Sequence, residues 1–542
     1  MSAIRRAYVY AVALVSLGAM AASVDDVLAW AMHNVFGTVD RGDVPLLSVA
    51  GVIVQVPIWA IHWVMAQSTA SRDPEDRRAT VRRVYLVLAM AGAVGAGAIG
   101  LASVVRALIA DHGEDTVDGL AAVVTAVPLL FIHRSAMVQD LSSQETRRGA
   151  LIRHAYLAIA AGIAALVGLS SAAGLLAAVL ERVFGIGADV NGRDVGTIAE
   201  MSGALVSASI VWAAHHRGRF LTIAETSQTD SFRDQAQAFL PASYRVVVLT
   251  VAVAVTLGNV AALFDWAASW VVGPSPMPVL GIASGASLTI YGAAWWAFRH
   301  SLAHDLGAMQ GRPDGWLATL DRVHRYAVTV VALAVAAVGI TQIVGMLLDT
   351  VSGAIPVSGS YAREVRFWVA VTATGLPTWV GFWRPPGHPR LLLAEISSRP
   401  RRVALYLVVF ACAVSLLASG VWVTYGLLGM ALGRPFDFPT VAVGATIVAA
   451  VVGAYHLSVL RSEAKVLAAQ VPTQVSGVDA TEPSVATPWA AIRATSVGLT
   501  VGWYATASEA RAVAAQGGAR WYAVARLDDG DSGPSQARTV VG

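Results

Sequence analysis

The chain has 542 residues, 56% hydrophobic and only 13% charged, with a formal net charge of +3, a mean hydropathy of +0.61 and a pI near 9.1. A water-soluble domain carries about 25% charged residues, so the composition excludes one of this size and points to runs of roughly 20 apolar residues that cross a bilayer. The one cysteine, Cys412, stands inside an apolar run, which excludes an intrachain disulfide framework and a cysteine-based metal site.

The chain starts with a short basic segment, Met1 to Arg6. The apolar run from Tyr8 continues through Asp25 and Asp26 to Trp30 with no small-residue cleavage site, and reads as a first spanning helix rather than a leader. Twelve spans are predicted, at 7–35, 45–67, 82–110, 117–138, 153–185, 195–216, 243–272, 277–300, 322–349, 363–384, 401–431 and 439–462. Helices are expected because every backbone polar group in lipid must be satisfied within its own segment, and the runs lack the alternation of barrel strands. The odd spans exceed the length needed to cross and should tilt or project.

Arginines gather in alternate loops, as in Arg72, Arg77, Arg78, Arg82 and Arg83, whereas the opposite loops hold few and carry acids such as Glu114 and Asp115. That asymmetry places both termini in the cytoplasm, and an even number of spans agrees. It also explains the high pI without a nucleic-acid partner.

One hairpin recurs. Val56-Pro57-Ile58-Trp59-Ala60-Ile61-His62 returns as Val127-Pro128-Leu129-Leu130-Phe131-Ile132-His133, and Arg82-Arg83-Val84-Tyr85-Leu86 as Arg153-His154-Ala155-Tyr156-Leu157, each 71 residues on. A fixed period marks one duplicated structural unit. Weaker copies follow at Trp212 to His216, Trp295 to His300, Pro377 to Trp383 with Phe382 in the histidine's place, and Tyr455-His456. The expected architecture is all-α and membrane-embedded: six hairpins in three four-helix units, 1–150, 151–320 and 321–465. A linker (466–488), a small cytoplasmic domain (489–527) and a tail (528–542) follow. The small domain reads as β-α-β-like, with strands over 496–504 and 520–527 and a helix over 508–516.

Gln55, Trp59 and His62 share a helix face by their spacing of four and three, and His133, His215 and His456 extend a polar stripe near the cytoplasmic ends. These histidines read either as interfacial residues beside an aromatic belt or as haem or metal ligands at one depth. Against ligation, there is no Cys-x-x-Cys-His. Pro57, Pro128 and Pro377 free the carbonyls of Ile53, Val124 and Ala373, either to line a substrate path or as packing kinks. The acids Asp25, Asp26, Glu181, Glu200, Asp265 and Asp349 fall toward outer helix ends. The lack of a midplane carboxylate argues against an ion-coupled carrier. No phosphate-binding loop, His-Glu-x-x-His or Gly-x-Ser-x-Gly is present, so no catalytic residue is assigned.

Tyr8, Pro57, Trp59, His62, Trp63, Arg72, Asp73, Pro74, Glu75, Arg77, Arg78, Arg83 and Tyr85 together resemble an uncharacterised bacterial membrane family, domain of unknown function 5671. The likeness is strongest over 5–90, clear to about residue 160 and weak beyond. The second copy departs from it, with Leu130 for the tryptophan and Arg134 after the histidine. The resemblance implies a multi-helix membrane unit and brings no activity, cofactor or catalytic residue. The expected role is a non-enzymatic scaffold, sensor or regulatory component, surrounded by membrane lipids, with a cytoplasmic protein partner at 489–527 and no cofactor. The alternatives are a channel or transporter-like protein for a small neutral solute and a haem-binding electron carrier.

Overall fold

Where the sequence lacks charge, the backbone is helical. The computed structural model describes residues 3–38, 44–110, 113–141, 146–186, 195–216, 231–271, 278–308, 316–352, 359–384, 394–432, 439–470, 489–495, 498–504 and 521–526. The helices are α1 (Ala3–Phe36), α2 (Leu46–Arg72), the one-turn α3 (Pro74–Arg77), α4 (Thr80–Ala110), α5 (Gly113–Leu141), α6 (Arg147–Val183) and α7 (Val195–His215). They continue as α8 (Ser231–Ser269), α9 (Pro278–Ala308), α10 (Trp316–Val351), α11 (Gly359–Trp383), α12 (Arg399–Ala431) and α13 (Thr440–Gln470). A long helix thus occupies each of the twelve expected places. Ten are long and apolar enough to cross a membrane; α9 and α11 are not among them. The reason is composition: α9 is rich in Ser, Gly and Trp, and α11 opens with Arg363, Glu364 and Arg366.

Two compact units divide the chain, residues 1–464 and 465–542. Within the first, α4 packs on α5 and α7, α6 on α7 and α9, α8 on α9, α10 and α11, and α1 on α2 and α5. One apolar core draws Val9, Tyr10, Ala13, Ala66, Tyr85, Leu86 and Met137 from α1, α2, α4 and α5, the N-terminal module. Another draws Tyr326, Trp383 and Leu405 from α10, α11 and α12, with Val459 and Leu460 of α13 packed against it; these four helices are the C-terminal module. Large apolar side chains such as Ile53, Ile99, Phe131, Ile159, Phe410 and Trp422 lie more than half exposed. Exposed apolar side chains in this number suit contact with lipid. One close helix contact is glycine on glycine. A Cβ on Gly100 of α4 would stand 2.7 Å from the Gly119 carbonyl of α5, and one on Gly119 would stand 2.6 Å from the Gly100 carbonyl.

The C-terminal segment departs from the β-α-β expectation. It holds β1 (Trp489–Thr495), β2 (Gly498–Tyr504) and β3 (Trp521–Arg526) in the order β2-β1-β3, both outer strands antiparallel to β1. The central strand is the one the sequence hid, because Ala490, Ala491 and Ala494 give it little β propensity. The anticipated helix over 508–516 and tail over 528–542 lie outside the described residues. The first residues of the expected linker, 466–470, are the end of α13, and the rest of it lies outside the described residues.

Candidate functional site

The returning helices place aromatic and imidazole rings together. Trp59 and Trp63 lie one turn apart on α2 and stack at 6.0 Å and 13°. His133 of α5 faces Trp63 at 4.9 Å. Its Nδ1 lies 2.7 Å from the Leu129 carbonyl. A carbonyl accepts only, so Nδ1 carries the hydrogen and Nε2 is an acceptor. Tyr85 of α4 donates its hydroxyl to that Nε2 at 2.9 Å and accepts from Trp59 Nε1 at 3.3 Å. Indole, phenol, imidazole and carbonyl thus form a closed relay across three helices.

A second cluster closes the same end of the module. Arg82 and Asp140 are each 2% exposed, and Arg82 holds the carboxylate through two bonds, Nε to Oδ2 at 2.7 Å and Nη2 to Oδ1 at 3.2 Å. Its remaining donors reach Gln67 Oε1 at 2.8 Å and the Tyr10 hydroxyl at 3.3 Å. Arg6 of α1 pairs with Asp76 of α3. A buried charge costs several kcal/mol unless paired and hydrogen-bonded, and here four bonds from the rigid guanidinium fork meet that requirement.

The C-terminal module draws the same constellation again. Trp379 and Trp383 stack at 6.5 Å and 13°, and His456 faces Trp383 at 5.2 Å. Arg401 bonds Glu463 Oε1 at 2.8 and 2.6 Å and the Tyr326 hydroxyl at 3.1 Å, with its guanidinium 4.5 Å from the Trp383 ring centroid. Tyr326 donates to Glu395 at 2.5 Å, and Arg322 reaches Glu395 at 3.3 Å. One member differs: Ala404 stands where the N-terminal module has Tyr85. His456 still sends Nδ1 to the Val452 carbonyl, but its Nε2 has no hydrogen-bond partner, and Trp383 Nε1 turns to the Tyr455 hydroxyl at 2.8 Å.

The structure separates the residues that the sequence grouped. His133, His215 and His456 are buried within the protein, at 0%, 3% and 1% exposure. His215 repeats the relay, with Nδ1 on Val211 O and Nε2 taking the Tyr156 hydroxyl at 3.0 Å. His62 and Gln55 are half-buried on α2, where His62 bonds the Ile58 carbonyl and meets Tyr8 edge-on at 5.9 Å. Pro57, Pro128 and Pro377 lie inside their helices on exposed faces, beside the exposed Ile53, Val124 and Ala373. Haem fits His133 and His215 poorly, because both nitrogens of each ring already have partners. Among the described residues no three His, Cys, Asp or Glu side chains converge as a metal site.

The sequence reading missed Tyr10, Arg82, Asp140, Tyr326, Arg401 and Glu463. One signal could have found them. An acid follows the returning-helix histidine by seven residues in both modules, His133 to Asp140 and His456 to Glu463, which is two turns along one face. Tyr85→Phe tests the relay: it removes the donor to His133 and the acceptor for Trp59, and should lower stability by about 1–3 kcal/mol. Tyr455→Phe unpairs one indole only and should cost less. Equal thermal midpoints for Tyr85→Phe and wild type in detergent would remove the relay as a source of stability.

These features define a multi-pass α-helical membrane protein whose end modules share a buried Trp-Trp-His and Tyr-Arg-carboxylate arrangement. The family model of domain of unknown function 5671 matches residues 6–117 and 322–455, the greater part of the two modules. Both segments match this family, and the second lies beyond residue 160, where the likeness looked weak. No curated protein and no solved structure matches it.

Proposed function

We propose that the chain is a non-enzymatic component of the bacterial inner membrane with a scaffolding, sensing or regulatory role. One observation carries this reading: Trp59, His133 and Asp140 of the N-terminal returning helices, and Trp383 and Glu463 of the C-terminal ones, are engaged in hydrogen bonds inside their own modules. Trp59 packs on Leu17, Met20 and Ala89, its counterpart Trp379 packs on Leu333 and Val408, and buried bonds engage the histidines between them. Twelve crossings fit the packing of α9 and α11 along spanning neighbours, and the arginine-rich loops favour both termini on the cytoplasmic side. Six diverged hairpins fit the Tyr85–His133 and Tyr156–His215 bonds, which join the two helices of successive hairpins in the same way. The three-stranded sheet would then be the part that meets a cytoplasmic protein.

The competing channel reading is tested by flux. Purified protein in phosphatidylcholine vesicles, mixed with glycerol or urea and followed by stopped-flow light scattering, should equilibrate at the rate of empty vesicles. A faster rate that Trp59→Ala or Trp379→Ala changes would replace the scaffold reading with a solute path.

A further inference from the structure

The N-terminal module carries a groove that neither the relay nor the ion pairs use. Between α1, α4 and α5 lies a cavity of about 360 Å³. Gly18 and Ala22 of α1 and Gly92 and Ala96 of α4 are exposed along it, so it opens sideways onto the face that meets hydrocarbon. Leu17, Ala89 and Ala126 form a buried apolar floor. From Leu14 to Asp25 the groove follows α1 for about 16 Å at 1.5 Å per residue, close to the depth of one leaflet of a hydrocarbon core about 30 Å thick.

The lining is apolar except for two groups. Asp25 stands at one end and Thr125 in the wall, and Asp25 Oδ1 and Thr125 Oγ1 are both buried without a hydrogen-bond partner. An unmet oxygen in an apolar setting costs several kcal/mol, and lipid offers no water to relieve it. An occupant that brings a donor to Asp25 removes that cost. A transmembrane helix is a poor fit, since at about 10 Å across it would need roughly three times the volume over this length. The volume instead falls in the range of small-molecule sites, about 300–1,000 Å³.

We infer that this groove binds a membrane amphiphile, drawn sideways from the bilayer, whose hydrocarbon chain lies between α1 and α4 and whose head donates an O–H or N–H to Asp25. The site goes beyond the scaffold reading and does not rest on it.

The test uses the full chain in phosphatidylcholine nanodiscs and a hexadecanol probe with a photoactivatable diazirine in its chain. Labelling should saturate and map to α1 and α4. Capping the head as a methyl ether, or Asp25→Leu, should weaken it about tenfold, the worth of one hydrogen bond to a charged group. Gly92→Leu is the variant that keeps its fold: no atom lies within 4 Å of a Cβ built there, so the side chain grows into the groove. It should abolish labelling at an unchanged thermal midpoint. Labelling that survives Gly92→Leu, spreads evenly over the lipid-facing helices, or is as strong with the methyl ether would overturn the site. So would a crosslink from α1 or α4 to a second copy of the chain.

Discussion

Replacing Arg82 with methionine should destabilise the N-terminal module by about 3–5 kcal/mol, the range for removing one partner of a buried ion pair. The loss is not that of one contact. Asp140 would keep its charge at 2% exposure and lose both bonds from the guanidinium, and Gln67 and Tyr10 would lose the donors that now reach them. The double variant Arg82→Met/Asp140→Leu removes both charges and should recover most of the stability. Arg401→Met and Arg401→Met/Glu463→Leu should repeat the pattern in the C-terminal module. The measurement is resistance to detergent-induced unfolding, single against double. If Arg82→Met stays within about 0.5 kcal/mol of wild type, the range of an ordinary surface change, the guanidinium does not hold the module together.

Gly100→Leu should be comparably damaging, at about 3 kcal/mol or more. The new Cβ would meet the Gly119 carbonyl at 2.7 Å, the Ala122 Cβ at 2.8 Å and the Val123 nitrogen at 3.1 Å. Backbone atoms dominate that list, so no rotamer change relieves the clash and α4 must draw away from α5. Gly95→Leu on the same helix is the control, because nothing lies within 4 Å of its Cβ. It should leave the thermal midpoint unchanged. If both variants melt together, the glycine contact between α4 and α5 is not what sets the cost at Gly100.

The helices were legible because a membrane imposes a one-dimensional rule: a long run without charge must be helical. The hairpin pattern around Pro57 and Pro128 was legible for the same reason, since it lies within consecutive residues. Arg82 and Arg401 were not. Arginines beside spans have a sufficient explanation in topology, and nothing local distinguishes one that turns inward to a carboxylate 58 or 62 residues away. The second family segment was faint because only the inward-facing residues of a module need particular side chains, such as Tyr326, Trp379, Arg401 and Glu463. The residues between them face lipid and need only be apolar. In the sheet, β1 escaped because alanine-rich segments favour helix.

The distribution of these contacts gives each module a mechanical polarity. In the N-terminal module Arg82, Asp140, Arg6 and Asp76 fasten the rim where α1 and α4 begin and α2 and α5 end. The opposite rim is tied by His33 with Asp118 and Arg106 with Asp115, whose carboxylates are 44% and 37% exposed, and ties of that kind hold weakly. A lateral load from the bilayer would therefore spread the helices at the weaker rim first, pivoting about Arg82 and Asp140, and the first backbone to part would include the stretch of α1 that carries Asp25.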